Sequence, residues 1–335
     1  MISRDSLVAR ARQGGAPCLL WVLVLAGCGG SSTAPTPLPA SPPAAADRLP
    51  PGDHTLTAQV GAVARRYLVH VPPGPALARP AVLAFHGGGG NAAQFKGIAA
   101  FDAHADRNGY LVVYPEGTGS GANSWNAGGC CSTAQARQVD DVAFGRAIVA
   151  DLVARGALDR ARLYVTGHSN GAMMAHRFAA EASELVAAAA PYAGSPYFGL
   201  LPFAPARPVP LLHIHSVTDP LAVFGGGVSG EGTYKTPVLD QLAYWSGRNG
   251  CGAPVVGADS LVGAPGTGNA GQSVAWVRWS GCPPSAPVVL RRLRGAGHAW
   301  PGMPVPPALA AQLGPATRLI DIEEEIWQFV SAFRR

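Results

Sequence analysis

The chain has 335 residues, 48% of them hydrophobic and 13% charged, with a formal charge of +5 at neutral pH. That apolar share supports a large buried core and excludes a disordered chain. Lys96 and Lys235 are the only lysines, and the arginines form no block, which excludes a nucleic-acid partner of the usual basic-patch kind.

The N-terminus reads as a targeting segment. Arg4, Arg10 and Arg12 precede a short apolar run, 17–25, that is too short to span a membrane and suits a signal peptide. The run ends in Leu25-Ala-Gly-Cys28, the pattern of a bacterial lipobox, so residues 1–28 are expected to be a lipoprotein-type signal peptide with Cys28 lipidated. The alternative is ordinary cleavage nearby, releasing a secreted protein. Several acyl chains would anchor stably, at about 0.8 kcal/mol per buried CH₂, and this lipid is the only membrane contact expected. Residues 29–50 are a Pro/Ala/Ser-rich linker with little to bury, reaching about 70 Å if extended. Residues 51–335 fit one catalytic domain.

Within 51–335, strand-like runs fall near 65–71, 81–85, 110–114, 162–166, 187–192, 209–215 and 287–293. Helical patterns fall near 92–107, 138–155, 170–182, 236–248 and 319–334. The alternation predicts an α/β fold, a mostly parallel sheet with helices on both faces. The run 65–71, with 54–60, is expected as an antiparallel edge. Residues 252–282 carry no readable pattern.

The first chemical signal is His86-Gly-Gly-Gly-Gly-Asn91, directly after the strand 81–85. A glycine run there has the form of an oxyanion loop, in which backbone N–H groups approach substrate with no Cβ in the way. The expected donors are the N–H groups of Gly88 and Asn170. The same glycines imitate a dinucleotide fingerprint, Gly87-x-Gly89-x-x-Ala92. Glu116 matches the required ribose acid poorly, and that reading leaves the later motifs unexplained.

Gly167-His-Ser-Asn-Gly171 lies between the strand 162–166 and a helical pattern. Strand, Gly-x-Ser-x-Gly and helix is the context of a nucleophile elbow, with Ser169 held above the sheet at a helix N-terminus. In α/β-hydrolases the acid and then the base follow the serine. His176 falls in the next helix and His213 and His215 in a strand, which leaves His298, in the loop after 287–293, as base. Of Asp219, Asp240 and Asp259, Asp219 follows the 209–215 strand and is the expected acid. Asp140-Asp141 opens a helical run and reads as a cap. Trp125 and Trp300 flank these motifs and are expected substrate-binding residues, with core packing as the alternative. No metal ligand spacing and no cofactor motif is expected. Four cysteines follow residue 28, and an even set in an exported chain reads as disulfides. Cys251–Cys282 is the expected pair; Cys130 and Cys131 are left open between a vicinal disulfide, free thiols and other pairings.

The blocks 86–90, 124–131 (Ser-Trp-Asn-Ala-Gly-Gly-Cys-Cys), 139–142 (Val-Asp-Asp-Val), 167–174 and 297–302 (Gly-His-Ala-Trp-Pro-Gly) together resemble the secreted polyhydroxybutyrate depolymerase and feruloyl esterase family of α/β-hydrolases. The resemblance covers about 52–335. It implies a cofactor-independent serine esterase with Ser169, Asp219 and His298 as its triad. The substrates it implies are feruloyl, acetyl or related esters, with polyester as the alternative. With no further binding module in the sequence, soluble esters are expected ahead of insoluble polymer. A catalytically inactive surface binding protein is the distant alternative, and it predicts a lost triad member.

Overall fold

The structure is a computed structural model and describes residues 48–75, 77–195, 204–228 and 234–335. All of them fall in one unit, Pro42–Arg335. Cys28 and the rest of the expected signal peptide and linker up to residue 47 lie outside the described residues.

The chain begins with β1 (Gly52–Val60), β2 (Val63–Val71) and β3 (Arg79–Phe85), then α1 (Ala92–Ile98), α2 (Phe101–Asn108) and β4 (Leu111–Pro115). The central part holds α3 (Ser132–Ala136), α4 (Asp141–Ala154), β5 (Leu158–Gly167), α5 (Asn170–Glu181), β6 (Ala188–Ala189) and β7 (Leu211–Ser216). After the short strands β8 (Gly227–Val228) and β9 (Tyr234–Lys235) come α6 (Val238–Asn249), β10 (Pro254–Val262), β11 (Ser273–Trp279), β12 (Val288–Arg294), α7 (Ala310–Leu313) and α8 (Ile322–Val330).

Ten strands form one sheet in the order β1-β2-β4-β3-β5-β6-β7-β12-β11-β10. The six from β4 to β12 are mutually parallel. The outer pairs on each side are antiparallel. The antiparallel edge of β1 and β2 and the parallel centre match the sequence reading. The hairpin of β10 and β11 is new. All nine residues of β10 are exposed, so it carries no alternation of apolar and polar residues for a sequence to display.

Period-two alternation divides the core between the two faces of the sheet. From β3, Ala81, Leu83 and Phe85 pack with Phe144 and Ile148 of α4, Phe178 of α5 and Trp245 of α6. Val82 and Ala84 point the other way, to Phe95 of α1, Phe101 of α2 and Ile326 of α8. Each fully buried valine, leucine, isoleucine or phenylalanine here contributes roughly 1.5–3 kcal/mol, and that burial fixes the helices against the sheet. The predicted helix 92–107 is two helices. Ala99 leaves α1 with extended backbone, and α2 restarts at Phe101. Asp140 caps α4 by accepting from the Ala143 N–H at 2.8 Å, as its position in the sequence suggested. Asp141 is buried and pairs with Arg65 of β2 at 2.7 Å, tying the helix start to the sheet edge.

Candidate active site

Ser169 sits between β5 and α5 with φ 56° and ψ −120°. A non-glycine residue there is strained by roughly 1–3 kcal/mol, a cost borne by the surrounding fold. The turn is closed from both sides. The His168 N–H donates to Phe85 O at 3.1 Å and the Ser169 N–H to Tyr192 O at 3.0 Å. Any Cβ on Gly167 would strike the Gly171 carbonyl, and one on Gly171 would strike the carbonyls of Phe85 and His86. The two glycines are therefore required by close approach of β3, β5 and α5.

The loop after β3 passes beside this turn. A Cβ on Gly88 would lie 3.5 Å from Asn170 Cβ, so the two residues named as oxyanion donors are neighbours. Among the described residues neither the Gly88 nor the Asn170 N–H has an acceptor. Next to them the Gly89 N–H donates to Asn123 O at 2.8 Å and the Gly90 N–H to Gly87 O at 3.1 Å. His86 holds the loop from beneath. Its Nδ1–H donates to Gly87 O at 2.8 Å, and its Nε2 accepts from the Gly117 N–H at 3.0 Å. Burial lowers its pKa, which keeps the ring neutral for this dual role.

His298 lies after β12 and Asp219 after β7, which is β12's parallel neighbour. His298 Nδ1 donates to Asp219 Oδ2 at 2.7 Å, with both residues buried. Asp219 Oδ1 accepts the N–H groups of Leu221 at 2.9 Å and Ala222 at 2.8 Å. Burial opposes ionisation of Asp219. The hydrogen bond from His298, the two nearby imidazoles and the Ala222 N–H outweigh it, and its pKa lies below the ordinary value. With Nδ1–H committed to a carboxylate, a neutral His298 keeps its lone pair on Nε2. Its loop is pinned by Leu313 O, which accepts the His298 N–H at 2.6 Å, and by Tyr192 OH on Ala299 O at 2.9 Å. His168, the second residue of the elbow motif, donates Nε2–H to His298 O at 2.8 Å. Burial, first, and the neighbouring His298 push the His168 pKa down to about 3. The sequence reading assigned no role to His168; its place inside the motif was the available signal.

Ser169 lines two cavities that meet at its side chain. One, of about 530 Å³, is walled by Phe95, Ile98, Met303, Leu309 and Leu313, and His298 opens onto it. The other, of about 520 Å³, carries Ser120, Asn123, Ser124, Ser132, Thr133 and Asn170. His298 borders the first and is absent from the described lining of the second. The Ser169 hydroxyl makes no hydrogen bond to the imidazole among the described residues.

Trp125 and Trp300 face neither cavity, which corrects the expectation that they contact substrate. Trp125 is 0% exposed, donates Nε1–H to His86 O at 2.8 Å and packs edge-on against Phe85. Its backbone is clasped by the Asn170 amide, which accepts the Trp125 N–H at 2.8 Å and donates to Trp125 O at 3.1 Å. Trp300 is 1% exposed, donates Nε1–H to Glu323 Oε1 at 2.7 Å and packs edge-on against Phe95. Each indole N–H found a buried acceptor, so each ring went inward. Cys251 and Cys282, the expected pair, lie side by side with their sulfur atoms 2.09 Å apart, and Cys130 and Cys131 face each other as chain neighbours.

Asp53, His70 and Asp102 group closely enough to offer a cation three ligand atoms. Lys96 Nζ is already ion-paired with Asp53 at 2.9 Å and with Asp102, so an ammonium group of the protein already stands where a cation would.

Residues 65–231 match the model of the esterase PHB depolymerase family. The proposed esterase NocK of Nocardia uniformis subsp. tsuyamanensis is 35% identical over 66% of this chain and 67% of its own. Feruloyl esterase B of Piromyces equi is 26% identical over 70% of this chain, which spans 42% of that relative's length. Poly(3-hydroxyalkanoate) depolymerase C of Paucimonas lemoignei is 34% identical over 38% of this chain and 31% of its own. Among solved structures, an acetyl xylan esterase from Aspergillus awamori superimposes with a TM-score of 0.58 over 84% of this chain and 99% of its own, at 16% identity. Sequence match, strand order and the elbow after β5 agree: the chain belongs to the esterase PHB depolymerase family of carboxylic ester hydrolases, on the α/β-hydrolase fold.

Proposed function

We propose that the protein is an exported serine esterase in which Ser169 is the nucleophile, His298 the general base and Asp219 the residue that orients it. The observation that carries this is the Asp219–His298 hydrogen bond, 2.7 Å long and buried, at the rim of a cavity that the strained Ser169 also lines. His298 Nε2 takes the Ser169 proton as Oγ attacks the ester carbonyl. The oxyanion is met by the unpaired N–H groups of Gly88 and Asn170, the kind of preorganised donors whose loss costs about a hundred- to a thousandfold. Collapse of the intermediate breaks the C–O bond, and His298 returns the proton to the departing alkoxide. Water repeats the cycle on the acyl-enzyme.

This chemistry also orients the ester. The protonating imidazole must reach the leaving oxygen, so the alcohol lies in the apolar cavity that His298 borders. The acyl group then lies in the hydroxyl-bearing cavity beside Asn170. A polar acyl wall supports feruloyl, acetyl or hydroxyacyl esters. The names of the relatives, feruloyl esterase B and acetylxylan esterase among them, point the same way. Polyester is the alternative, supported by the family match and the depolymerase relative. Export is supported by the sequence of residues 1–28 and by the juxtaposed Cys251 and Cys282, which as a disulfide would suit an oxidising compartment.

The test is Ser169→Ala, which is expected to lower kcat on p-nitrophenyl acetate by at least about a thousandfold while the fold persists. Undiminished turnover by the folded variant would refute the assignment. A panel of methyl ferulate, acetylated xylan and hydroxybutyrate oligomers then ranks the acyl groups.

A further inference from the structure

Three histidines outside the proposed triad form a continuous chain through the core. Alternation along β7 puts His213 and His215 on one face, where α5 brings His176 and α6 brings Gln241. All four side chains are fully buried. His176 Nε2 lies 3.2 Å from His213 Nδ1, His213 Nε2 lies 3.0 Å from His215 Nδ1, and His215 Nε2 lies 2.7 Å from Ala222 O.

The last contact sets the direction of the whole chain. A carbonyl only accepts, so His215 Nε2 carries the hydrogen. Burial lowers the pKa of each of the three rings, so each is neutral and holds one N–H. His215 Nδ1 is then an acceptor, His213 Nε2 its donor, His213 Nδ1 the next acceptor and His176 Nε2 the first donor. The Gln241 side-chain amide meets the same ring, 2.5 Å from Nε2 and 3.4 Å from Nδ1; turned so that its otherwise unpartnered oxygen faces Nε2, it accepts from that N–H as well.

The chain ends on the loop that holds the acid. Ala222, whose carbonyl receives the His215 proton donor, gives its own N–H to Asp219 Oδ1. The other carboxylate oxygen, Oδ2, receives His298 and lies 3.8 Å from His215 Nε2. We infer that His215 is a positioning residue for ester hydrolysis: its Nε2–H, oriented by His213 and His176 behind it, fixes the Asp219–Ala222 turn so that Oδ2 meets His298. The inference rests on the reading of Asp219 and His298 given above. A ring that only filled space would need no ordered donors, and a phenyl ring of similar shape would replace it.

His215→Phe keeps the ring and removes the donor. His215→Gln restores a donor near the Nε2 position. His215→Phe is expected to lower kcat about ten- to a hundredfold, the scale of a small misplacement of catalytic groups, with KM within about twofold. His215→Gln is expected to recover kcat to within about threefold of the parent. In the unsubstituted protein, ¹⁵N NMR is expected to show the Nε2–H tautomer for His215, a readout that needs no variant to fold. A folded His215→Phe with parental kcat, a His215→Gln as impaired as His215→Phe, or an Nδ1–H tautomer would each overturn the inference. Asp219→Asn is the companion control. If it collapses kcat while His215→Phe does not, the inference fails and the triad reading stands; if both leave kcat unchanged, the triad reading fails and takes the inference with it.

Discussion

Asp219 has both carboxylate oxygens engaged: two backbone N–H groups hold Oδ1 and the imidazole holds Oδ2. Asp219→Asn keeps the shape but turns one oxygen into a donor. It either faces the His298 Nδ1–H with an N–H of its own or forces the other tautomer, whose Nε2 is no longer a base. A fall in kcat of about ten-thousandfold at neutral pH is expected, with near-parental stability, measured as steady-state hydrolysis alongside urea unfolding. His168 and His86 are the neutral rings on either side of this chemistry, and both act on backbone rather than on substrate. Their roles were not legible in the sequence because a histidine letter does not say which of its nitrogens is occupied. Trp125 and Trp300 misled for a related reason. A tryptophan beside a motif is near the chemistry along the chain, and the sequence does not show the buried acceptors, His86 O and Glu323 Oε1, that these two N–H groups meet in the fold.

The elements that carry the site were legible because their constraints are local. β5, the elbow and α5 follow from a strand, two spaced glycines and an apolar helical face, and the structure gives α5 as Asn170–Glu181 against an expected 170–182. Gly171→Ala tests that constraint. Its Cβ would meet two main-chain carbonyls of the β3 end, which cannot swing aside as a side chain does. A loss of about 2–4 kcal/mol in urea-derived stability is expected, with activity reduced in the fraction that folds. The unreadable elements depend on distant partners. β10 pairs only with β11, exposes every residue and shifts register twice along its length, so neither burial nor strict alternation marks it. The break between α1 and α2 depends on Glu323 from α8, whose carboxylate accepts the Ala100 N–H at 3.1 Å from 223 residues away.

Across the described residues, five histidines are held below their ordinary pKa, chiefly by burial: the buried His86, His176, His213 and His215 and the half-buried His168. Their folded pKa values lie beneath the unfolded value of about 6.5, so between those limits the unfolded chain binds more protons than the folded one. Their share of the stability is therefore full above about pH 6.5 and falls as pH drops below it, with each ring contributing roughly 1 kcal/mol per pH unit once its unfolded form is charged; His70, where burial is outweighed by hydrogen bonds to Asp53 and Asp106 and the pKa is raised, acts singly in the opposite sense. Asp219 acts later, because its lowered pKa keeps its contribution until pH falls below the ordinary carboxylate range. Urea midpoints are expected to be flat from pH 8 to 7 and to fall steeply by pH 5. An unchanged midpoint at pH 5 would show that these rings are not neutral in the folded state.

The placing of Ser169, the proposed nucleophile, on the lining of two cavities has a consequence for how such a protein diversifies. On the proposed orientation, the half of the ester that leaves first and the half that stays meet walls that share Gly88, Leu221 and Gln312 and otherwise differ. Substitutions in Ile98 or Leu309 would retune the first partner without touching the second, and those around Ser132 and Thr133 the reverse. Selection can then sample acyl and alcohol preference as independent traits, while the proton-handling machinery beneath them stays fixed.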